Sequence, residues 1–402
     1  MAAHIRNTCG APIVDISIEE LEADPYPTYA YLRSFGGLVF VSQLNMYWAT
    51  RYDDVSSILF DSENFVVGTE TSLIQKTFGQ NVLTVEGDYH RYLRQNLLPM
   101  LRHTGRLNQF SDLIALRAAE LLDGIDNQAT LGFDLRGTFA RRLPVILMLD
   151  LFGIAQDQEN TFRAFYDKFE AALANFTNEP TIEEAARQSF DAFQTLCQTQ
   201  MDEFRASPKL GSMLSDLVSK KDGLSDDEIV RNSLITMFGG ISTVEALLLN
   251  TLFAAAHFHP GGPSALQHDE DIASFIEETA RWASPVQSAT RHVVGNVCVG
   301  EVNLKKGDVV NCMLASANRD PDIFERPDEF DAKRLGVKRH VAFAKGPHTC
   351  IGNHLGRLVC KVAFQKLQAR FPGYQISLES SEAPSGYEFR QPKHLWIEPA
   401  PA

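Results

Sequence analysis

The sequence predicts a mainly α-helical protein with small β-sheets, folded as one large domain. Apolar residues recur at helical spacing from about residue 106 to 205 and again beyond 225. The β-like runs are short and lie near the amino end, around 297–313, and near the carboxyl end. Composition is ordinary for a globular protein, 44% hydrophobic and 22% charged over 402 residues, which leaves ample core. Length alone allows roughly two domains. No Pro/Gly/Ser-rich linker, repeat or low-complexity tract marks a boundary, so residues 1–402 read as a single domain.

Taken in order, Asp24-Pro-Tyr-Pro-Thr opens a helix through Tyr31-Leu32-Arg33, and strands are expected at Leu38–Val41 and Met46–Thr50. Asp53 and Asp54 mark the start of a short helix ending near Phe60. Residues 66–86 mix Gly68, Gly79, Thr and Ser with isolated apolar residues and read as one long loop. The next helix places His90 and Arg94 four apart on one face. Two long amphipathic runs, Asp157 to Ala174 and Ile182 to Phe204, are separated by a break at Asn175-Phe-Thr-Asn-Glu-Pro180. Ser225 with Glu228 forms a capping box, and a long apolar helix runs from Ile229 to about Phe258. Gly239-Gly240 in its middle costs about 1 kcal/mol per glycine relative to alanine, so close packing or a ligand against the backbone must require it. Short strands follow at Val297–Val299, Val302–Leu304 and Val309–Met313, and a closing hairpin pairs Tyr374–Leu378 with His394–Ile397.

The net charge of −14 argues against general nucleic-acid binding and against an anionic membrane surface. Residues 1–24 lack an apolar leader core, and no run of about 18 apolar residues is evident, so the expectation is a soluble, cytoplasmic protein with no membrane contact. The six cysteines show neither zinc nor disulfide spacing, which fits a reducing compartment; all but Cys350 read as inert thiols.

Cys350 lies in Phe343-Ala-Lys-Gly-Pro-His-Thr-Cys-Ile-Gly352, where Gly346, Pro347 and Gly352 favour a tight irregular loop. A helix begins just after it, and a thiol ahead of a helix N-terminus is favoured as thiolate. A lone loop thiolate among small residues suits an axial haem ligand. The pattern Phe-x-x-Gly-x-His-x-Cys-x-Gly resembles the haem-binding signature of the cytochrome P-450 family. That resemblance implies the family's triangular fold, with haem b held between a long distal helix and the Cys loop. It implies Cys350 as axial ligand to the haem iron, Phe343 packed near the sulfur, Gly352 at the close approach, and His348, His90, Arg94 and Arg291 on the propionates. It makes Glu278 and Arg281, an i,i+3 pair, a buried structural unit completed by Arg334.

On the distal helix the family carries Ala/Gly-Gly-x-Asp/Glu-Thr; this chain reads Gly239-Gly240-Ile241-Ser242-Thr243. Thr243 takes the hydroxyl position at which oxygen is activated, and Ser242 replaces the usual acid. A serine relays a proton but does not supply one as a carboxylic acid does. Glu245 either substitutes through water or pairs structurally. Ile235, Phe238, Val286 and Phe389 are candidates for the substrate pocket.

The function implied is a monooxygenase acting on a small or medium apolar organic substrate, by hydroxylation, dealkylation or epoxidation. Electrons would come from a ferredoxin and its NAD(P)H-dependent reductase, docking near Arg102, Arg106, Lys345, Arg357 and Lys361, and the chain would be a monomer. Ser242 keeps open a peroxide-driven peroxygenase, and a haem sensor without turnover is the non-enzymatic alternative.

Overall fold

A computed structural model describes residues 7–102, 104–125, 132–173, 175, 179–398 and 400. The amino-terminal part carries the short helices α1 (Ile18–Ala23), α2 (Tyr26–Arg33) and α3 (Tyr52–Phe60). The stretch read as one loop holds a further helix, α4 (Leu73–Phe78), because Ser72 caps the Gln75 N–H and Gly79, at φ +67°, turns the chain out of the last turn. Then come α5 (Gly87–Arg102), α6 (Thr104–Asp123), α7 (Leu143–Phe152), α8 (Glu159–Leu173), α9 (Pro180–Ala206) and α10 (Met213–Val218). Of the break expected between α8 and α9, Phe176, Thr177 and Asn178 lie outside the described residues.

The expected single distal helix is two, α11 (Asp226–Gly240) and α12 (Ser242–Phe258), divided at Ile241 (φ −98°, ψ −82°). Its start is the expected capping box, with the Ser225 hydroxyl accepting from Glu228 N–H and the Glu228 carboxylate from Ser225 N–H. Asp226–Phe258 is long and apolar enough to cross a membrane by length and composition alone. Its most apolar window is 72% buried inside the protein, the behaviour of a core helix. α13 (Asp269–Trp282), the single turn α14 (Leu314–Ala317) and α15 (Asn353–Arg370) complete the helices.

Six strands form the main sheet, in the order β1 (Ile13–Val14), β2 (Val39–Val41), β3 (Met46–Ala49), β9 (Val309–Cys312), β6 (Ala289–Val293) and β4 (Phe65–Val66). A two-stranded ribbon pairs β7 (Val297–Val299) with β8 (Val302–Leu304). The closing pair is β10 (Gln375–Ile376) and β11 (Trp396–Glu398), and β11 also pairs with β5 (Phe133–Asp134), which the sequence reading missed.

The network around α13 ties these parts together. Arg281 donates to Glu278 through Nε (2.8 Å) and Nη2 (2.7 Å), and its remaining donors reach the carbonyls of Asn318, Pro327 and Glu329. Glu278 Oε1 also accepts from Arg334 Nε at 3.0 Å and from the Asp331 N–H at 2.9 Å. Glu278 and Arg281 are fully buried, so every lone pair and N–H must be met internally. Removing one partner of such a pair leaves a buried charge unpaired, at a cost of about 3 to 5 kcal/mol. Glu278→Ala is therefore expected to lower the thermal midpoint sharply and to yield protein with little haem. A folded, fully loaded variant would contradict this.

Candidate active site

The loop around Cys350 is held from its own backbone. Gly346 adopts φ +72°, and a Cβ there would stand 2.3 Å from the Leu59 carbonyl oxygen, so only glycine fits. Thr349 N–H closes the turn onto Gly346 O at 3.1 Å, and Cys350 N–H donates to Phe343 O at 2.9 Å. Gly352 has an ordinary backbone angle (φ −91°) as N-cap of α15, and nothing lies within 4 Å of the place a Cβ would take. The space beside its backbone is therefore open, and it is not a positive-φ turn residue. The Cys350 thiol departs from expectation too. Burial raises its pKa, outweighing the Gly352 N–H and the guanidinium groups of Arg94, Arg357 and Arg102. The helix start alone does not offset that burial; a metal cation bound at the sulfur would favour the thiolate.

Beside this loop the structure gathers His90, His348, Arg94 and Arg291. The rings of His90 and His348 stand 4.5 Å apart. His348 Nε2 lies 2.7 Å from Glu86 Oε2, so the group expected on a propionate is already engaged on one side. Its Nδ1 and His90 Nε2 are buried without a protein partner. Burial, followed by His348 and Arg94, pushes the His90 pKa down to about 4, which keeps its ring neutral near pH 7. Arg94 donates to the Thr349 carbonyl at 2.7 Å, and buried Arg291 to the Thr290 carbonyl at 2.9 Å.

On the distal side, Thr243 Oγ1 donates back to the Gly239 carbonyl at 2.6 Å. The two glycines have different reasons. A Cβ on Gly240 would stand 3.0 Å from the thioether of Met148 on α7, so this residue packs helix on helix. At Gly239 nothing lies within 4 Å of the same place, which leaves the backbone open to a ligand. Phe238 meets Phe78 (5.1 Å), Tyr166 (5.3 Å, stacked) and Phe389 (6.2 Å), and Phe389 bridges to Val286. Ile235 lies one turn earlier on the same buried helix. Ser242 is buried at the break between the two helices. Glu245 binds Arg136 Nε at 2.8 Å and lies 3.7 Å from Arg163 Nη1, so it is structural and leaves no free acid at the break.

An iron porphyrin with two propionates needs an axial donor, an open backbone above the ring and unpaired polar groups at its edge. Cys350, Gly239, and the orphan nitrogens of His90 and His348 with buried Arg291 supply these. A family model described as Cytochrome P450 matches residues 35–269 and 272–377. The chain belongs to the cytochrome P450 family. Among the P450s it resembles, the cytochrome P450 monooxygenase PikC of Streptomyces venezuelae is 28% identical over 397 residues, 93% of this chain and 91% of that protein. Cytochrome P450 107B1 of Saccharopolyspora erythraea is 28% identical over 357 residues, 84% of each. The solved structure of CYP109Q5 from Chondromyces apiculatus superposes with TM-score 0.82 at 25% identity, over 97% of this chain and 99% of that one. The protein is thus a P450 haem monooxygenase, and its cofactor is haem b.

Two site features of this P450 escaped sequence reasoning, Glu86 and Glu277. Glu277 lies 3.1 Å from His340 Nε2 and is gripped by Arg357 at 2.7 and 2.8 Å. Arg357 in turn covers the Phe343 ring at 4.1 Å. Four of the five basic residues named for partner docking have partners within the chain. Arg357 is taken by Glu277, Lys361 by Asp269 at 2.6 Å, Arg106 by Asp216, and Lys345 by the Tyr52 hydroxyl.

Burial pushes Glu277 up, but the hydrogen bonds from His340 and Arg357 prevail and hold its pKa at about 2. A carboxyl depressed in the folded state contributes stability that is present above its unfolded value, about 4.3, and lost as pH falls toward the folded one. Between about pH 4.5 and 2 the wild type should lose this contribution, and Glu277→Gln should unfold with a shallower acid slope in urea melts. Parallel slopes would contradict the assignment.

Proposed function

We propose that this P450 inserts one atom of dioxygen into a small or medium apolar organic substrate by hydroxylation, dealkylation or epoxidation. A ferredoxin and its NAD(P)H-dependent reductase would supply the electrons, in a cytoplasmic setting that six unpaired cysteines suit. The observation that carries the substrate class is the wall of Phe78, Phe238, Phe389 and Val286 gathered at the Gly239–Thr243 turn of the distal helix. Such a wall binds by burying apolar surface, excludes water, and orients a flat or aliphatic ligand without fixing a single polar handle.

In this reading Cys350 is the axial ligand. His90, Arg94, Arg291 and the free nitrogen of His348 hold the propionates, with Phe343 beside the sulfur. The bound haem thiolate supplies oxygen activation, favouring O–O cleavage. Thr243 contributes a hydroxyl that already donates to Gly239 O and so presents its lone pairs as acceptors. A cleft of about 550 Å³ beside the Cys loop, lined by Phe60, Lys338, Lys345 and Thr349, gives an electron donor a surface next to the ligand loop.

The reading is tested by titrating the ferric protein with small aromatics, terpenoids, fatty acids and macrolide-like compounds. A spin-state shift of the Soret band is expected for one apolar class, with Phe389→Ala weakening that ligand on the order of tenfold, the worth of a partly buried aromatic ring. Substrate-dependent NAD(P)H consumption is expected with ferredoxin and reductase. Turnover with peroxide alone, and none with donors, would favour a peroxygenase instead.

A further inference from the structure

The aromatic wall has no polar handle of its own, but one stands at its edge. Residues 386–390 form a short loop closed by Ser385 and Gln391, whose N–H groups and carbonyls bond each other at 3.1 and 3.0 Å. Gly386 makes the turn at φ +120°, where a Cβ would stand 2.1 Å from the Phe389 carbonyl oxygen. The loop lies along residues 285–288. Gln287 N–H donates to the Glu388 carbonyl and Arg390 N–H to the Pro285 carbonyl, both at 2.9 Å. Two ring contacts fix it, Tyr387 stacked on Trp48 at 6.4 Å and Phe389 edge-on to Phe238 at 6.2 Å. Glu388 is the residue between them.

Its carboxylate accepts from the hydroxyl of buried Ser288 at 2.7 Å. Among the described residues that carboxylate has no other hydrogen-bond partner and no ion pair. The guanidinium groups nearest in sequence are committed elsewhere, Arg390 to the carbonyls of Glu22 and Ala23 at 3.0 and 2.6 Å, and Arg291 to that of Thr290 at 2.9 Å. Burial raises the Glu388 pKa against the Ser288 hydrogen bond, as expected of an enclosed carboxylate without a counter-charge. Tyr29 and Tyr387 beside it are held neutral by burial. Glutamine would accept the same Ser288 bond without the cost of an unpaired charge, so the charge calls for a partner from outside the chain. Glu388 keeps part of its surface accessible, which lets such a partner reach it.

We propose that Glu388, oriented by Ser288, is a specificity-determining anchor for substrates that carry a protonated amine on an apolar body. The proposal deepens the monooxygenase reading by naming its substrate class, and it rests on that reading. The apolar body packs against Phe238, Phe389 and Val286, and the ammonium N–H meets the carboxylate oxygen that Ser288 leaves free. A charge-assisted hydrogen bond at one end of the wall then sets which end of the molecule faces the opening at Gly239.

The test is a spectral titration of the ferric holoenzyme with matched pairs of compounds. Each pair is an N,N-dimethylamine and its carbon isostere, in which CH replaces the nitrogen, on phenylbutyl, dodecyl and geranyl skeletons. Calorimetry run alongside detects compounds that bind without a spectral change. In the best-fitting pair the amine should bind about ten- to hundredfold more tightly than its isostere, the worth of a hydrogen bond to a charged group. Glu388→Gln should remove that advantage and leave the Kd of the isostere and the thermal midpoint at wild-type values. Ser288→Ala should reduce the advantage in part. Amines no tighter than their isosteres in every pair, or an advantage that Glu388→Gln retains, overturns the inference while leaving the apolar pocket standing. Absence of binding by every compound, basic and neutral alike, would defeat the pocket reading as well.

Discussion

The site depends first on a pair of neighbouring acids on α13. Glu278 turns toward Arg281, Arg334 and the Asp331 N–H, while Glu277 takes His340 and Arg357. Arg281 also fastens the carbonyls of three residues between Asn318 and Glu329. The irregular chain from 318 to 340 has little regular structure to satisfy its backbone, and these side chains do that work. Arg357 carries the grip onward to Phe343 and hence to the Cys350 turn. Buried ion pairs add little net stability over an apolar core, but they fix geometry, because any displacement strands a charge. A ligand loop needs that kind of constraint.

The distal side is built on the opposite principle. Here the wall is aromatic, and the regular element itself is interrupted. Gly240 lets α11 press against Met148, Gly239 leaves the backbone open, and Ile241 takes a conformation that neither helix continues. At that point the Gly239 carbonyl accepts from the Thr243 hydroxyl, and the Ile241 carbonyl from the Glu245 N–H. Close packing on one face is what allows an opening on the other.

The legible parts of the chain were those whose chemistry is local. The capping box at Ser225 and Glu228, the turn at Gly346, and the i,i+3 pair of Glu278 and Arg281 are all spacing effects. Arg334 joins from another segment, and only the family resemblance connected it. Glu86, Glu277, Tyr166 and Glu170 carried no local signal, since a single acid or tyrosine on an amphipathic helix reads as surface or core alike. Helix α4 was missed because Gly68 and Gly79 outweighed a four-residue capping signal in a glycine-rich stretch. The Cys350 pKa went the other way from expectation because sequence shows the helix start but not the depth of burial, and burial is the larger influence.

Those misses share a cause, which is that the partners come from different elements of the fold. At position 242 the chain carries serine, and Glu245 on the same helix is held by Arg136. The fold packs α8 against α11, with Tyr166 stacked on Phe238 and its hydroxyl donating to Glu170. Glu170 meets water where Glu245, sealed beneath Arg136, does not. Through that stack α8 shares in the apolar wall beside the helix break.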